Sequence, residues 1–317
     1  MTTFIKWNIA AMLVGFILDL IIGDPDGWTH PVIWIGKYIS FAEKKLRKRG
    51  GNLRRSAVWL TASTVLLSMV VCSLVLLGLS LLGKIPLFIG MCIISWWALS
   101  CKCLAKEGKG VAQALSISLE RGRKQVGRIV GRDTSCLSKE EIIKATVETV
   151  AENTTDGVIA PMLYLILGGP VLAMGYKAAS TLDSMVGYLD EKYRDIGWSS
   201  AKFDDVLNWI PARITGTLMC ISAFMCVLDG RNAFRIMKRD HANHLSPNCA
   251  WSESAAAGAL HVQQGGTHMY FGKPIEKPTI GDDDFPIAIT DICKTNRLMY
   301  ISAMIVAVIA LISGVLL

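Results

Sequence analysis

Charge is scarce in this sequence. Only 19% of its 317 residues are Asp, Glu, Lys or Arg, whereas 52% are hydrophobic and the mean hydropathy is +0.41. This balance excludes an ordinary water-soluble enzyme, in which about a quarter of the residues are charged. We therefore expect a protein that is embedded in a lipid bilayer.

Several common functional signatures are also missing. The nine cysteines show neither CxxC nor zinc-binding spacing, so we expect them to be reduced packing residues. The stretch GLSLLGKI, Gly78–Ile85, is like a phosphate-binding loop up to its lysine but lacks the Ser/Thr that binds magnesium. The net charge of +7 comes from cations that cluster beside the apolar stretches, so it does not indicate a nucleic-acid partner.

Long uncharged stretches are the most prominent positive feature. About 20 apolar residues are needed to cross a bilayer. Five stretches, listed at the end of this paragraph, carry no charge, and a sixth, Asn8–Gly23, is apolar except for Asp19. An acid within a membrane segment indicates a functional site, although the end of this segment could also dip into water. We predict an all-α, polytopic integral membrane protein with about five transmembrane helices, plus or minus one, in a single domain covering 1–317. The five uncharged stretches, of which the fourth is short, are Ala57–Leu82, Ile85–Cys101, Gly157–Tyr176, Ile214–Leu228 and Leu298–Leu317.

The distribution of basic residues predicts the orientation in the membrane. Lys37–Arg55 holds eight Lys/Arg against one Glu, and Lys102–Lys144 is also rich in cations, so both loops are predicted to be cytoplasmic. Gly168-Gly169-Pro170 should break the helix in Gly157–Tyr176. That segment is then either a kinked span or a re-entrant pair of half-helices.

Three carboxylates stand four residues apart in VETVAENTTDGVIAPML, Val147–Leu163. On a helix, Glu148, Glu152 and Asp156 would share one face, which costs stability because like charges repel. One interpretation is a solvated, frayed helix end. The other is a cation site, in which a divalent metal holding phosphate oxygens turns the repulsion into shared coordination.

Three further blocks contain more polar residues than membrane loops require. DLIIGDPDGWTHP, Asp19–Pro31, offers two acids and His30. Ser180–Thr215 carries acids and arginines on a potential helix face, which would also suit an amphipathic surface helix. Arg239–Gly272 has two histidines at helical spacing, a Ser-Pro-Asn turn, Glu253 and a Gly-Gly step.

Taken together, these blocks resemble the adenosylcobinamide-phosphate synthase family of cobalamin biosynthesis. The resemblance rests on DxxxGDP with HP and IG, on ETVAENTTDGVIAPM, LDSMVGYLDEKY and DDVLNWIPARIT, and on the SPN…AAAGAL…GG…YFG block, which occur in order over nearly the whole chain. The last block departs from the family pattern: WSESAAAGAL lacks a proline before its glutamate, and His261 and Gln264 replace smaller or apolar residues.

The resemblance implies an activity. The family joins a carboxylate of adenosylcobyric acid to the amine of an aminopropanol or its O-phosphate, and some members accept ethanolamine phosphate. Because a carboxylate is a poor electrophile, the ATP requirement of the family suggests an acyl phosphate. ATP and Mg²⁺ are thus the expected cofactors, the corrinoid and the aminoalcohol phosphate the expected substrates, and the cytoplasmic membrane the expected location, with the site facing the cytoplasm. Other membrane enzymes of the late cobalamin pathway are further candidate partners.

The same resemblance and the residue chemistry suggest three groups of site residues. The Mg²⁺ hypothesis rests on Glu148, Glu152, Asp156, Asp183, Asp204 and Asp205. The candidate catalytic residues, with His30 or His244 as the base for the ammonium, are His30, Glu152, Asp156, Asp183, His244 and Glu253. The candidates for binding the nucleotide and the anionic groups are Asp19, Asp24, Asn153, Lys177, Arg194, Asn208, Arg213, Arg239, Ser246, Asn248, Gly265 and Gly266.

Two functions of other classes also fit parts of the pattern. A secondary transporter for an organic anion would explain acids within the membrane and a broken helix. Against it, the motif residues lie mostly in long loops and no inverted repeat is visible. A membrane scaffold would leave the polar motifs without a purpose.

Overall fold

The computed structural model describes residues 2–25, 27, 29–131, 133–188, 190–270 and 273–317, with the backbone alone at 267–270 and 273–277. Phe271 and Gly272 of the YFG motif therefore lie outside the described residues. The described chain is mainly helical, as predicted. Its helices are α1 (Thr2–Ile21), α2 (Pro31–Arg49), α3 (Leu53–Leu81), α4 (Lys84–Ala98), α5 (Cys101–Ile117), α6 (Leu119–Val126), α7 (Lys139–Thr154), α8 (Ala160–Val186), α9 (Trp198–Met225), α10 (Gly230–Asp240), α11 (Cys249–Leu260) and α12 (Ile289–Leu316).

Two elements were not expected from the sequence. A π-helical segment, Thr155–Ile159, joins α7 to α8. A two-stranded antiparallel hairpin pairs β1 (Gln264–Tyr270) with β2 (Lys273–Ile280), with Gln264 opposite Ile280 and an irregular register between Gln264 and Gly266. The hairpin escaped prediction because its strands are glycine- and proline-containing and show no apolar alternation.

Five helical segments are long and apolar enough to cross a membrane, which confirms the predicted number of spans. They are Thr2–Ile21, Leu53–Leu81, Lys84–Ile117, Lys139–Val186 and Ile289–Leu316. The short stretch Ile214–Leu228 forms the end of α9 and is not among them. In α3 the apolar side chains mostly point outward, as expected for a helix in contact with lipid.

The chain divides into two compact units. Unit 1 comprises 1–100, 160–208 and 307–317, and unit 2 comprises 101–159 and 209–306. The predicted single domain over 1–317 stays a prediction.

The core of unit 1 forms where α2, α3, α4 and α8 pack together, around Ile39, Leu60, Ile94 and Leu182. Small residues let helices approach closely: a Cβ on Gly15 of α1 would lie 2.7 Å from the Ser95 Cβ of α4. Such close contact between backbones is typical of helices that pack within membranes.

The predicted break at Gly168-Gly169-Pro170 is present in α8. Gly169 has φ 66° and ψ −162°, a conformation that glycine adopts at low cost. A Cβ there would lie 2.6 Å from the Asn8 Oδ1 of α1, whose amide donates to the Ile166 carbonyl of α8 at 3.5 Å. The break therefore receives a polar side chain where the regular helical bonding is interrupted. The choice between a kinked span and a re-entrant pair stays a prediction.

The core of unit 2 has two parts. One packs α5, α6 and α7 around Val111, Ile142 and Val147, and the other packs α9, α10 and α11 around Met219, Ala233 and Ala256. Helix α11 is alanine-rich, and every residue from Ser252 to Leu260 is buried. The polar side chains of this part of α11 are therefore shielded from water.

Candidate functional site

The acidic stretch lies on α7 and the π-helical segment of unit 2. Helix α7 begins with a capping box, in which Ser138 accepts from the Glu141 amide and Glu141 accepts from the Ser138 amide. Glu148 and Glu152 follow one turn apart, but Asp156 falls in the π-helical segment. The predicted face with carboxylates at i, i+4 and i+8 is therefore not regular, because its third member, Asp156, lies in the wider π-helical turn. Such π-helical insertions occur often at functional sites.

The hairpin contacts this acidic face through its backbone. The Gly265 amide donates a hydrogen bond to Glu148 Oε1 at 3.0 Å. Gly265 has φ 76°, and a Cβ there would lie 2.3 Å from the Pro278 carbonyl oxygen on β2. Glycine is thus required at this position, both for its conformation and for the close approach of the two strands.

Helix α11 supplies the other contacts. The Cys249 thiol donates to Glu152 Oε1 at 3.1 Å, and Glu253 is 5% exposed one turn further on. Burial, reinforced by the charges of Glu152, Glu253 and Asp156, raises the pKa of the Cys249 thiol well above its usual value. The thiol therefore remains protonated at neutral pH. We call Glu148, Glu152, Asp156, Cys249 and Glu253 the acidic site.

The composition of the acidic site suits magnesium bound together with a phosphate ligand. Its carboxylates are hard oxygen donors, the kind that Mg²⁺ prefers. Among the described residues, no three Asp, Glu, His or Cys side chains are arranged as a ready-made metal cage. Mg²⁺ is commonly held by only one or two carboxylates, with substrate phosphates and water completing the octahedron. The site fits that mode better than an all-protein cage.

Two of the predicted anion-binding arginines of unit 2 already have partners. Arg239 pairs with Asp240 at 2.6 Å and with Asp282 at 2.7 Å. Burial alone would raise the pKa of Asp240, but the bonds from Arg239 and the Gly281 amide outweigh it and lower that pKa. The Arg213 guanidinium carbon lies 4.1 Å from the Trp209 ring centroid and 4.8 Å from that of Trp251. Arg239 is thus largely neutralised, whereas Arg213 stacks on aromatic rings.

Unit 1 holds a second polar group, formed by Asp24, His30 and Lys177. Burial lowers the pKa of His30; the carboxylate of Asp24 opposes this effect, and the charge of Lys177 adds to it. His30 is therefore neutral at physiological pH. Asp24 Oδ1 and His30 Nε2 are buried, and neither atom makes a hydrogen bond of normal geometry with a described residue. The Trp97 backbone raises the pKa of His30 and is the smallest of the four contributions to that pKa.

The hydrogen bonds of the two candidate bases define their tautomers. His30 caps α2, and its Nδ1 accepts from the Val32 amide at 3.2 Å. The Nδ1 of His244 accepts from the Ser246 amide at 3.0 Å. A neutral imidazole that accepts at Nδ1 carries its proton on Nε2. Each ring is therefore arranged to donate a hydrogen bond from Nε2, and it could act as a base only by giving up its backbone bond.

The remaining predicted residues of unit 1 have clear positions. The Tyr176 hydroxyl donates to Asn208 Oδ1 at 2.9 Å, and Asn208 Nδ2 donates to Asp204 Oδ2 at 2.9 Å. Asp205 pairs with Lys202 at 3.3 Å, and Arg194 is exposed. Asp19 is fully buried, whereas Ile21 and Ile22 at the same segment end are exposed.

The sequence-predicted site residues fall into both units. Those in unit 2 are Glu148, Glu152, Asn153, Asp156, Arg213, Arg239, His244, Ser246, Asn248, Glu253, Gly265 and Gly266. Those in unit 1 are Asp19, Asp24, His30, Lys177, Asp183, Arg194, Asp204, Asp205 and Asn208. The six proposed metal ligands are thus divided three and three between the units.

Two residues of the site were missed by sequence reasoning. Cys249 is one of the nine cysteines expected to be packing residues, and in the sequence only its place between Asn248 and Glu253 marks it. Gln264 stands out in the sequence only as a departure from the family pattern. Its side chain is fully buried, and neither of its amide atoms has a partner among the described residues. A buried amide in this state is costly unless a ligand or water completes its bonds.

The fold and the site together define a helical, polytopic membrane protein with a partly buried carboxylate site built from α7, α11 and a hairpin. Residues 12–299 match the family model described as CobD/Cbib protein. The chain belongs to this family. No solved structure gives a significant match.

Curated relatives cover nearly the whole chain. "Cobalamin biosynthesis protein CobD" of Streptococcus sanguinis (strain SK36) is 47% identical over 94% of this chain and 94% of its own length. The protein of that name from Geobacter metallireducens is 48% identical over 92% of each chain. "Cobalamin biosynthesis protein CobD" of Citrobacter koseri is 43% identical over 97% of this chain and 99% of its own.

Proposed function

We propose that this protein acts in cobalamin biosynthesis as an ATP- and Mg²⁺-dependent amide-forming ligase of the cytoplasmic membrane. Its substrates would be adenosylcobyric acid and (R)-1-aminopropan-2-ol O-phosphate or a close aminoalcohol analogue. The observation that carries the proposal is the acidic site, where Glu148 and Glu152 are oriented by Gly265 and Cys249 in a position suited to a magnesium-bound nucleotide. The names of the relatives support the pathway.

The reaction would proceed in two steps. A propionate oxygen of the corrinoid attacks the γ-phosphorus of ATP, the bond to ADP breaks, and an acyl phosphate forms. The amine nitrogen then attacks the acyl carbon, the bond to phosphate breaks, and the amide forms. Mg²⁺ would neutralise charge on the phosphates. Holding the reactants in place supplies much of the rate enhancement.

The side chains have different parts in this scheme. Glu148 and Glu152, together with Asp156, would hold the metal. Glu253 is a buried carboxylate that could take the proton lost by the amine. His244, with Nε2–H as the donor, would contact phosphate or carboxylate oxygens instead of acting as a base. Within unit 1, the polar group of Asp24, His30 and Lys177 would by itself suit a phosphate and an ammonium.

Product analysis with the purified protein in nanodiscs tests the reaction. We expect ADP, phosphate and amide in equal amounts, no AMP, and no turnover without Mg²⁺. With ¹⁸O in the corrinoid carboxylate, one label should appear in phosphate for each amide formed. Label in AMP, or amide without nucleotide cleavage, would contradict the mechanism.

A matched pair of variants on α7 tests the site. Glu152→Gln should lower amide formation at least about a hundredfold because it removes a proposed metal ligand. Glu140→Gln, an exposed residue of the first turn of the same helix, should leave the rate unchanged. Equal rates for the two variants would remove Glu152 from the site. Substrate counterflow in liposomes without ATP would favour the transporter alternative.

A further inference from the structure

Helix α2 has an outward face that the core of unit 1 does not use. Its inner face buries Ile35 and Ile39, which pack in one cluster with Leu60 and Leu182. On the other side Trp34 is 62% exposed and Phe41 is 63% exposed. Large aromatic rings left in water lose the benefit of burial, so an exposed pair on one helix calls for a contact that covers it.

Lysines lie next to both rings. The Lys37 ammonium is 4.8 Å from the Trp34 ring centroid, and the Lys45 ammonium is 5.8 Å from that of Phe41. Positions 34, 37, 41, 45 and 48 follow one another at spacings of three or four, so these aromatic and basic side chains form one stripe. We call this stripe, which includes the exposed Lys44, the basic aromatic face.

The charge of this face is not balanced within the protein. Helix α2 carries six Lys/Arg and a single acid, Glu43. That acid pairs with Arg47 at 2.8 Å. None of the other cations of α2 forms an ion pair with a described residue, and they are Lys37, Lys44, Lys45, Lys48 and Arg49. Five positive charges therefore remain available to an external anion.

The face also stands at the end of a candidate span. Only Gly50, Gly51 and Asn52 separate α2 from α3, whose apolar side chains point outward. Exposed Arg55 and Trp59, at the start of α3, continue the combination of cations and an aromatic ring. Aromatic and basic residues are enriched together at the membrane interface, where rings enter the headgroup region and cations meet lipid phosphates.

We propose that the basic aromatic face of α2 binds the anionic phospholipids of the membrane surface. Trp34 and Phe41 would insert at the level of the headgroups, and the lysines would contact lipid phosphates. Water alone would solvate the lysines of this face but would leave both exposed rings without the free-energy gain of burial. Two signals, apolar insertion and charge, are what a stable interfacial contact requires.

Lipid selectivity of the full-length protein tests this proposal. The protein is reconstituted in phosphatidylcholine bilayers containing a trace of spin-labelled phosphatidylglycerol or phosphatidylcholine, and the ratio of the two association constants is measured. We expect a ratio of several-fold, since each lysine at an anionic surface can strengthen association up to about fivefold. Salt at 0.5 M should reduce the ratio because it screens exposed charges.

The variant K44Q/K45Q/K48Q should bring the ratio at least twofold closer to one. The control K124Q/K139Q/K238Q removes the same charge from exposed lysines of unit 2 and should keep the parental ratio. Thermal unfolding confirms that both variants are folded. A parental ratio of one, or equal ratios for the two variants, would overturn the proposal.

Depth measurement supplies an independent readout. A nitroxide at Ser40→Cys, on the same face, is placed in a chain whose exposed Cys136 and Cys293 are replaced by serine. We expect oxygen to relax it more than a water-soluble nickel complex once phosphatidylglycerol is present. Preferential access of nickel would indicate a solvated face, and shielding from both reagents would indicate a protein partner; either result would refute lipid binding.

Discussion

At the scale of single residues, Glu148 and Glu152 of the acidic site accept hydrogen bonds from uncharged donor groups. Glu148 accepts from a backbone amide, and Glu152 accepts from a thiol that its own charge helps to keep protonated. Each of these two contacts orients a carboxylate through a donor group that carries no charge itself.

The state of Cys249 can be measured by alkylation. Because burial and nearby carboxylates raise its pKa, we expect it to react with iodoacetamide at pH 8 at least about tenfold more slowly than the exposed Cys136 and Cys293. Mass spectrometry of timed samples gives the rates. Glu152→Gln should increase the Cys249 rate, since one of the charges is lost. Reaction of Cys249 at the rate of Cys136 would contradict this environment.

His261 should make the stability of unit 2 depend on pH. Its ring nitrogens lie 2.9 Å from Asp284 and 3.1 Å from Asp229, and these hydrogen bonds, that of Asp284 first, raise the pKa of His261 against the effect of burial. A raised pKa means that the stabilisation is fully present below about pH 6.5 and is lost as the pH rises through the folded-state value.

We therefore expect the Tm to fall between pH 6 and pH 9 by more in the parent than in His261→Gln. Partly exposed ion pairs contribute at most about 1 kcal/mol, which is a difference of at most about 2–4 °C. Thermal unfolding in nanodiscs measures it. The variant Asp284→Asn should flatten the profile in the same way. Parallel profiles for parent and His261→Gln would show that the histidine does not contribute.

At the scale of elements, the acidic site depends on a helix with an irregular end and on a hairpin with an irregular start. The π-helical segment displaces Asp156 from the regular face, and the bulge at Gln264–Gly266 brings an amide to Glu148. Irregularities of this kind aim side chains and backbone groups that regular elements would point elsewhere.

A comparison of adjacent glycines separates conformation from close packing. Gly265 and Gly266 both have positive φ, so alanine strains each by about 1–2 kcal/mol. Only at Gly265 would the added Cβ meet backbone, since nothing lies within 4 Å of the corresponding Cβ on Gly266. Gly265→Ala should therefore lower the Tm further than Gly266→Ala and should reduce amide formation at least tenfold. Thermal unfolding and the product assay measure both effects, and indistinguishable variants would show that the contact with Glu148 is dispensable.

At the scale of the whole molecule, the balance of apolar and basic residues determines the relation to the membrane. Long apolar helices supply the spans, and the basic segment 37–55 is predicted to lie in the cytoplasm. Thr2–Ile21 and Leu53–Leu81 lie within unit 1, and the other three candidate spans contain residues of both units.

Cysteine labelling tests the predicted orientation within unit 1. Arg49→Cys, at the exposed C-terminal end of α2, should react with an impermeant maleimide in inverted vesicles and not in intact spheroplasts. Lys84→Cys, in the turn between α3 and α4, should react from the opposite side, since one apolar helix separates the two positions. The exposed native cysteines are replaced by serine as a control for background. Labelling of both positions from one side would contradict α3 as a span.

The sequence by itself determined the class of protein, the number of spans, the family and the break at Gly169. These features follow from composition and from patterns within short stretches, since apolar length and Gly-Pro chemistry act locally. Tertiary structure decided which groups meet. The contact of Gly265 with Glu148, the pairing of Arg239 with Asp282 and the Nε2–H tautomer of His244 depend on distances after folding, which residue identity does not encode. Cys249 acquired its role for the same physical reason, because burial and neighbouring charge, not the residue type, set the chemistry of a thiol.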